Sequence, residues 1–260
     1  MSAPLRRSVP LDASGVDAAW EPDPLREGAW VLTVGGAEQS TLYPDRPRRL
    51  VYEYLTRMAA VLDAAWSAPA DTAPSVLHLG GGALSLPRYV QAVRPGSRQV
   101  VVDLDAALMP FVLESFPLEA PELTQLVIGD VRDALPEVGA DFDAVVLDIA
   151  LSQDSPERLR EEFFARELIA KLAPSGTVLV NVGDDPGLPA TRELVAGFRA
   201  AGASVFVTAS ASMLAGDEEG NVVLVASRRP WAQAARDAVV GAGPHPAALV
   251  AGLDLDGLGL

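Results

Sequence analysis

The chain has 260 residues, of which 49% are hydrophobic, enough to bury the core of one large domain or two small ones. Its 35 acidic and 20 basic residues give a net charge of −15, which disfavours nucleic-acid or anionic-membrane partners but is compatible with a small cationic substrate. The absence of cysteine, with only two histidines, excludes disulfides, thiolate metal sites and a histidine-rich metal cluster. Without a secretory leader or an apolar run of about 20 residues, we expect a cytoplasmic protein.

The N-terminal segment predicts few regular elements. Residues 1–28 are rich in proline, alanine and charge, and we expect them to form a loose arm. Ala29–Tyr43 has two extended stretches around Gly35 and Gly36, a pattern typical of a β-hairpin. Apolar residues at helical spacing predict a helix over Arg48–Trp66. These elements define a predicted N-terminal region over residues 1–66.

Strands and helices alternate over most of the remaining chain, which predicts a doubly wound α/β fold with a mostly parallel sheet. The last two strands are joined by too short a segment for a crossover, so we expect them to pair antiparallel. That ending is typical of the S-adenosylmethionine methyltransferase-like Rossmann fold with seven strands, here over residues 67–230, followed by a tail over residues 231–260. The predicted strands are Ser75–Leu79, Arg98–Asp105, Leu123–Asp130, Phe142–Ala150, Gly176–Asp184, Ser204–Ser210 and Asn221–Ser227.

Three consecutive glycines, Gly80, Gly81 and Gly82, follow the first of these strands. Glycine has no Cβ, so it adopts positive φ angles readily and allows a ligand to approach the backbone. Ligands of doubly wound sheets bind beyond the carboxyl ends of the strands, where this loop lies. The loop therefore predicts either a tight turn alone or a ligand site.

Three strands in succession place a carboxylate at their carboxyl ends. Asp103 lies where a carboxylate can accept the hydroxyls of a ribose, Asp130 where it can reach an adenine, and Asp148 ends the following strand. Asp105, next to Asp103, has a simpler interpretation as a helix N-cap. Ser85 replaces the third glycine of the dinucleotide fingerprint. Together these features favour an adenosyl-sulfonium ligand over NAD.

Several segments, in order, resemble the spermidine synthase (polyamine aminopropyltransferase) family over Val31–Ser227. They are GAEQS, LHLGGGALSLPR, VVVDLD, VIGD, FDAVVLD, FFARELIAKLAPSGTVLVN and GNVVLVAS. The resemblance implies that Gln39 contacts the side chain of the sulfonium ligand and that the Gly80–Gly82 loop lines it. It implies further that Asp103 holds the ribose and that Asp130 contacts the adenine.

The amine side of the family pattern is altered. The family's D-S-x-D-P segment, whose second aspartate is the general base, reads DIALSQDSP here. This retains Asp148, places Leu151 at the base position, and leaves Asp154 as a substitute only if the loop is rearranged. The family's Tyr-His-Glu segment reads LVYEYL, so Tyr52 and Glu53 are the candidates for contact with the amine, with a solvated helix carboxylate as the simpler role of Glu53.

Three functions remain open at this stage. The first is aminopropyl transfer from decarboxylated S-adenosylmethionine to a polyamine such as putrescine, with no metal involved. The second is methyl transfer from S-adenosylmethionine to an unknown acceptor, and the third is a non-catalytic homologue. The expected partner is a small molecule, without nucleic acid or membrane, and the resemblance implies a homodimer.

Other charged and titratable residues have simpler expected roles. His78 lies within the first strand between leucines, and we expect it to be packed or hydrogen-bonded there. Arg48, Arg49 and Arg57 could form a basic rim suited to a carboxylate-bearing ligand, with salt bridges to neighbouring acids as the alternative.

Overall fold

The computed structural model describes residues 8–66, 73–151, 156 and 159–257. The chain divides into two compact units. The first comprises Met1–Tyr52 and His78–Val138, and the second comprises Glu53–Leu77 and Gly139–Leu260. The predicted segmentation into residues 1–66, 67–230 and 231–260 stays a prediction.

The strands and helices largely follow the apolar patterns of the sequence. The strands are β1 (Ser8–Pro10), β2 (Asp17–Pro22), β3 (Trp30–Val34), β4 (Ala37–Leu42), β5 (Ser75–Leu79), β6 (Arg98–Asp103), β7 (Thr124–Ile128), β8 (Phe142–Leu151), β9 (Leu172–Asp184), β10 (Ser204–Ser210), β11 (Gly220–Ser227) and β12 (Ala247–Ala251). The helices are α1 (Glu53–Ala65), α2 (Ser85–Val93), α3 (Leu108–Ser115), α4 (Val131–Ala134), α5 (Glu162–Ala170), α6 (Pro189–Ala200), α7 (Ala211–Leu214), α8 (Gln233–Ala242) and α9 (Leu253–Gly257). Across the described ranges, none of these helices is long and apolar enough to cross a membrane.

The first unit contains an antiparallel sheet of the order β1-β2-β3-β4. The predicted hairpin is confirmed as β3 and β4, whose turn residues Gly35 and Gly36 have φ angles of 59° and 81°. The prediction of a loose arm over residues 1–28 was wrong for the described residues 8–28, because β1 and β2 lie among them and extend the hairpin sheet.

Packing of Trp20 explains why this segment is ordered. Alternate residues of β2 are buried, and Trp20 is 1% exposed. Its ring stacks on Phe111 of α3 at a centroid distance of 6.5 Å and meets Phe116 edge-on at 4.9 Å. Aromatic pairs in these geometries add to the free energy of burial. The four-stranded sheet is thus attached to α3 through one hydrophobic core.

The large sheet has the order β12-β10-β11-β9-β8-β5-β6-β7. Strand β5 begins in the second unit and ends in the first. The pairs β6–β7 and β8–β9 are parallel, whereas β11 pairs antiparallel with both β9 and β10. The predicted mostly parallel α/β sheet with an antiparallel ending is therefore confirmed. The predicted number of seven strands was one too few, because β12 of the C-terminal segment pairs antiparallel with β10.

Helix α1 begins at Glu53, five residues later than predicted. The segment before it is folded into turns, in which the Arg46 amide donates to the Tyr43 carbonyl and the Arg49 amide to the Arg46 carbonyl. Pro44 and Pro47 disfavour a helical conformation in the residues before them, and the turn from Arg46 to Arg49 keeps the predicted first residues out of the helix. As a result, Tyr52 precedes the helix.

Candidate functional site

The glycine loop after β5 needs glycine for two different reasons. Gly80 and Gly82 have φ angles of 103° and 49°, in the region that side chains disfavour. Gly81 has no space for a side chain, since a Cβ there would lie 2.7 Å from the Met109 thioether and 3.1 Å from Asp103 Oδ2. The loop is closed by a 2.8 Å hydrogen bond from the Leu84 amide to the Gly81 carbonyl. The loop is therefore a tight turn, and its backbone also approaches the Met109 and Asp103 side chains closely.

Asp103 lies against this loop from the end of β6. Its Oδ2 accepts a 2.8 Å hydrogen bond from the Gly81 amide, and its Oδ1 accepts one of 3.1 Å from the Asp105 amide. A carboxylate offers about four acceptor positions, so these two contacts orient it and leave acceptor capacity. The structure thus brings together the acid and the glycine loop that the sequence paired.

Asp105 has a different role from the predicted helix cap. Helix α3 begins only at Leu108, and its N-terminus has no side-chain cap. The buried Asp105 carboxylate instead accepts hydrogen bonds from the Ala107 amide at 2.9 Å and from the Ala13 amide at 3.0 Å. It therefore ties the N-terminal segment to the turn that follows Asp103.

Asp130 follows β7 and is the N-cap of α4, where its Oδ1 accepts a 2.9 Å hydrogen bond from the Arg132 amide.

Two apolar side chains near the ends of β6 and β7 are exposed to solvent. Leu104, directly after Asp103, is 59% exposed, and Ile128, which pairs with Asp103 in the sheet, is 46% exposed. Our sequence analysis missed both. For Leu104, an apolar residue directly after the acid at a strand end was a usable signal.

Gln39 is the extra residue of a β-bulge. Leu32 pairs with Ser40 and Thr33 with Glu38, so no residue of β3 opposes Gln39. Bulges redirect side chains and are frequent next to active sites. The hydroxyl groups of Ser40 and Ser85 lie 3.2 Å apart, which places this part of β4 beside the first residue of α2. Gln39 thus lies in the strand segment that contacts the helix following the glycine loop.

Tyr52 belongs to a small polar cluster in the first unit. Its hydroxyl donates a 2.5 Å hydrogen bond to Glu38 Oε1, and the Thr41 hydroxyl donates to the same oxygen at 3.1 Å. Burial, reinforced by the Glu38 carboxylate, raises the pKa of Tyr52 above its ordinary value. Tyr52 is therefore a neutral hydrogen-bonding group at physiological pH, and Glu38 is a carboxylate that the sequence pattern did not single out.

Asp148 of the second unit is held by a chain of amides. Its Oδ1 accepts a 2.9 Å hydrogen bond from Asn181 Nδ2, and its Oδ2 accepts one of 3.4 Å from the Tyr54 hydroxyl. Asn221 Nδ2 in turn donates to Asn181 Oδ1 at 2.9 Å, which orients the Asn181 amide towards the carboxylate. Burial raises the pKa of Asp148, against the opposing effect of the two hydrogen bonds. Tyr54 and the two asparagines were not among the candidate site residues of the sequence analysis.

The expected base position holds a buried leucine. Leu151 ends β8 and is 0% exposed. The register of β8 against β9 shifts just before it, since Leu147 pairs with Val180 and Leu151 with Val182. The carboxyl end of this strand is therefore irregular. Asp154, the substitute base considered from the sequence, lies outside the described residues.

Glu53, the other candidate for amine contact, is the first residue of α1. Its side chain is 70% exposed and lies 3.3 Å from Arg57 Nη2. The Arg57 side chain is only 3% exposed, and burial lowers its pKa while Glu53 opposes that shift. Arg57 therefore does not belong to an exposed basic rim. It forms an ion pair with Glu53, as the alternative interpretation of the sequence expected.

Among the described residues, the strand order, the antiparallel β11 and the acid fixed against a glycine loop define the class I methyltransferase-like fold. A probable spermidine synthase from Corynebacterium glutamicum has a similar structure, with a TM-score of 0.85 and 25% identity over 95% of this chain and 91% of that one. The chain is thus a structural relative of the spermidine synthases, as its sequence predicted.

Two more distant structures show the same fold. Human methyltransferase-like protein 13, solved in complex with SAH, has a TM-score of 0.59 and 18% identity over 74% of this chain and 90% of that one. A spermidine synthase in complex with the transition-state analogue AdoDATO has a TM-score of 0.56 and 14% identity over 86% of this chain and 72% of that one. No family model and no curated protein sequence matches the chain.

Proposed function

We propose that this protein binds an adenosyl-sulfonium nucleoside through its first unit and transfers the aminopropyl group of that nucleoside to an amine. The observation that carries the proposal is the 2.8 Å hydrogen bond between the Gly81 amide and Asp103 Oδ2. It orients a carboxylate at a strand end beside a loop without side chains. The probable spermidine synthase with a TM-score of 0.85 supports the same reaction class.

Each part of the nucleoside has a candidate partner in the first unit. Asp103 accepts the hydroxyls of the ribose, and the glycine loop allows the ligand to approach its backbone. Asp130 contacts the adenine amino group, while the exposed Leu104 and Ile128 cover the apolar faces of the base. Gln39, redirected by its bulge, contacts the aminopropyl chain. Two relatives solved with SAH and with AdoDATO support a ligand of the adenosyl type.

The reaction is a displacement at the carbon next to the sulfonium. The amine lone pair forms a new C–N bond as the C–S bond breaks. The electrons of the C–S bond return to sulfur, so the leaving group is neutral methylthioadenosine. The attacking nitrogen loses a proton. Because the sulfonium is already a good leaving group, the enzyme has to orient the amine and accept that proton.

Asp148 is the candidate proton acceptor. Its carboxylate is held by Asn181 and Tyr54, and its raised pKa is closer to neutral pH than that of an exposed aspartate. A base whose pKa lies near the working pH accepts protons most effectively. With Leu151 buried at the family's usual base position, this role falls to Asp148. Tyr52 and Glu53 are proposed to contact the amine.

The test is product formation. The pure protein is incubated with decarboxylated S-adenosylmethionine and putrescine, and methylthioadenosine is measured. We expect methylthioadenosine in amounts equal to the aminopropylated amine, and a rate about 10²–10⁴-fold lower for Asp148→Asn. Absence of methylthioadenosine with putrescine and with a panel of longer polyamines would reject aminopropyl transfer.

Methyl transfer from intact S-adenosylmethionine is the second candidate. The buried Leu151 favours it, because a chain that lacks the usual amine base need not act on a polyamine. The methyltransferase-like relative solved with SAH supports this alternative. It predicts that S-adenosylhomocysteine accumulates when the protein and S-adenosylmethionine are incubated with a pool of metabolites, while decarboxylated S-adenosylmethionine gives no product.

A further inference from the structure

A cavity in the first unit is lined by arginines. Its volume is about 510 Å³, and Arg26, Arg46 and Arg49 line it together with Tyr43, Leu25 and Glu27. The residues come from the β2–β3 connection and from the segment after β4. None of them is part of the proposed nucleoside site.

Two of the three guanidinium groups are held in position. Arg26 Nη1 donates a 2.8 Å hydrogen bond to Asp23 Oδ2, and the buried Asp23 also accepts from the Arg26 and Leu25 amides. The Arg49 guanidinium lies over the ring of Tyr43 at 4.4 Å from its centroid. Because these side chains are already oriented, little conformational entropy remains to be lost when a ligand binds.

Arg46 supplies the third cation. Its backbone is fixed by hydrogen bonds to Tyr43 and from Arg49, which fold this segment back on itself. Its side chain is exposed, and in the described part of the chain its guanidinium makes no hydrogen bond or ion pair. Arg46 is therefore the cation most available to a ligand.

The charge of the cavity is opposite to that of the protein. The lining has three guanidinium groups and one carboxylate, Glu27, and Asp23 pairs with Arg26, so the cavity keeps a net positive charge in a chain of net charge −15. Like charges gathered in one cavity repel each other, and an anion between them removes that repulsion. Guanidinium groups bind carboxylates and phosphates through paired N–H donors. Three such groups around one space favour a tetrahedral oxyanion, which presents more oxygens than a carboxylate.

We propose that this cavity binds a phosphate monoester. The cavity is open to solvent and is larger than inorganic phosphate, which leaves room for an organic group beside the phosphoryl group. Leu25, which is 86% exposed, provides an apolar wall for that group. The ligand is thus a small organic phosphate whose phosphoryl oxygens are bound by Arg26, Arg46 and Arg49.

Isothermal titration calorimetry tests this proposal with inorganic phosphate and ribose 5-phosphate, at an ionic strength held constant with sodium chloride. We expect saturable binding of both, with ribose 5-phosphate binding more tightly. Arg46→Ala and Arg49→Ala should each weaken binding about tenfold or more, since each removes charge-assisted hydrogen bonds. Arg48→Ala is the matched control, because exposed Arg48 donates to the Ala92 carbonyl and does not line the cavity.

The proposal is overturned if the unaltered protein binds neither inorganic phosphate nor ribose 5-phosphate. It is also overturned if Arg46→Ala binds ribose 5-phosphate as tightly as the unaltered protein does. Citrate, a carboxylate of higher charge, should bind more weakly, and equal or tighter binding of citrate contradicts a phosphate site. Thermal unfolding of each variant is the check that it remains folded. Decarboxylated S-adenosylmethionine should bind Arg46→Ala and the unaltered protein equally, so this site and the nucleoside site succeed or fail separately.

Discussion

The Gly81 amide and Asp103 Oδ2 lie 2.8 Å apart, which fixes the acid at the end of β6 against the loop at the end of β5. Two residues that are 22 positions apart in the sequence therefore act as one unit. The loop would lose this contact if its backbone moved, and the carboxylate would lose its orientation. Binding of the nucleoside should consequently be sensitive to small changes in either residue.

Gly81→Ala should weaken nucleoside binding strongly and reduce stability moderately. The new Cβ would lie 2.7 Å from Met109, which is flexible and can shift, but also 3.1 Å from Asp103 Oδ2. We expect affinity for decarboxylated S-adenosylmethionine to fall about tenfold or more, since the Asp103 carboxylate is displaced. Calorimetry and thermal unfolding measure the two effects separately. Unchanged affinity in a variant with an unchanged melting temperature would contradict the role of this contact.

Leu104→Ser tests the exposed apolar surface beside Asp103. Because Leu104 is 59% exposed, its replacement should change stability by less than about 0.5 kcal/mol. If Leu104 covers the adenine, affinity for the nucleoside should still decrease several-fold. The control is Leu25→Ser, since Leu25 is 86% exposed and lies outside the nucleoside site. Equal nucleoside affinities of the two variants would argue against an adenine contact at Leu104.

Asp148→Asn should lower activity without lowering stability at neutral pH. Burial raises the pKa of Asp148, so its charged form is less favourable in the folded than in the unfolded protein. Its contribution to stability is therefore complete below the ordinary aspartate value of 3.8 and is lost as pH rises through the folded pKa. The neutral asparagine avoids this loss, so the free energy of unfolding at pH 7 should be equal or higher.

The same variant should lose the acid limb of the pH–rate profile. If Asp148 accepts the proton of the amine, the rate falls as pH decreases through its raised pKa, because the protonated carboxyl is not a base. Asp254→Asn, at an exposed acid of the same unit, is the control and should keep that limb. An unaltered acid limb in Asp148→Asn would assign the proton transfer to another group.

His78 should make the fold sensitive to mild acid. The ring is 2% exposed, its Nε2 lies 2.8 Å from Gln99 Oε1, and the Gln99 amide donates to the Pro87 carbonyl at 3.1 Å. Burial lowers the pKa of His78 from 6.5 to about 4. Between these values the unfolded chain binds a proton that the folded protein does not, so stability falls as pH decreases from 6.5 towards 4, by about 3 kcal/mol in total.

Urea unfolding at pH 7, 6 and 5 measures this effect. His78→Gln should show a weaker loss of stability over this range than the unaltered protein, because glutamine does not titrate. His245→Gln, at the exposed second histidine, should behave like the unaltered protein. Identical pH dependence in His78→Gln and His245→Gln would show that the buried ring is not responsible.

Most of the large sheet could be predicted because its strands are short apolar runs separated by helices. The elements that were missed depend on packing that the sequence does not reveal locally. Strand β2 follows the turn at Gly15 and ends in Pro22, two residues typical of loops, and its order comes from Trp20 packing on α3. Strand β12 is a five-residue run of alanine, leucine and valine that is stabilised by pairing with β10.

The candidate site also has parts that the sequence predicted and parts that it did not. Asp103 and the glycine loop were identified together because parallel strands present their carboxyl ends at one edge of a sheet. The surroundings of Asp148 were not predictable, since Tyr54, Asn181 and Asn221 lie on α1, β9 and β11. Whether such residues meet depends on helix rotation and strand register, which no local pattern specifies. The bulge at Gln39 likewise follows from the pairing of β3 with β4.

The most direct test of the account is calorimetric titration of decarboxylated S-adenosylmethionine into the unaltered protein and into Asp103→Asn. Asparagine has lost the charge and has one acceptor oxygen for the two amides, Gly81 and Asp105, from which the carboxylate accepts. We predict saturable binding to one site in the unaltered protein, binding about tenfold weaker or more in Asp103→Asn, and no change in Asp133→Asn, at an exposed acid. No heat with the unaltered protein, or equal binding by Asp103→Asn, would contradict an adenosyl-sulfonium site at Asp103.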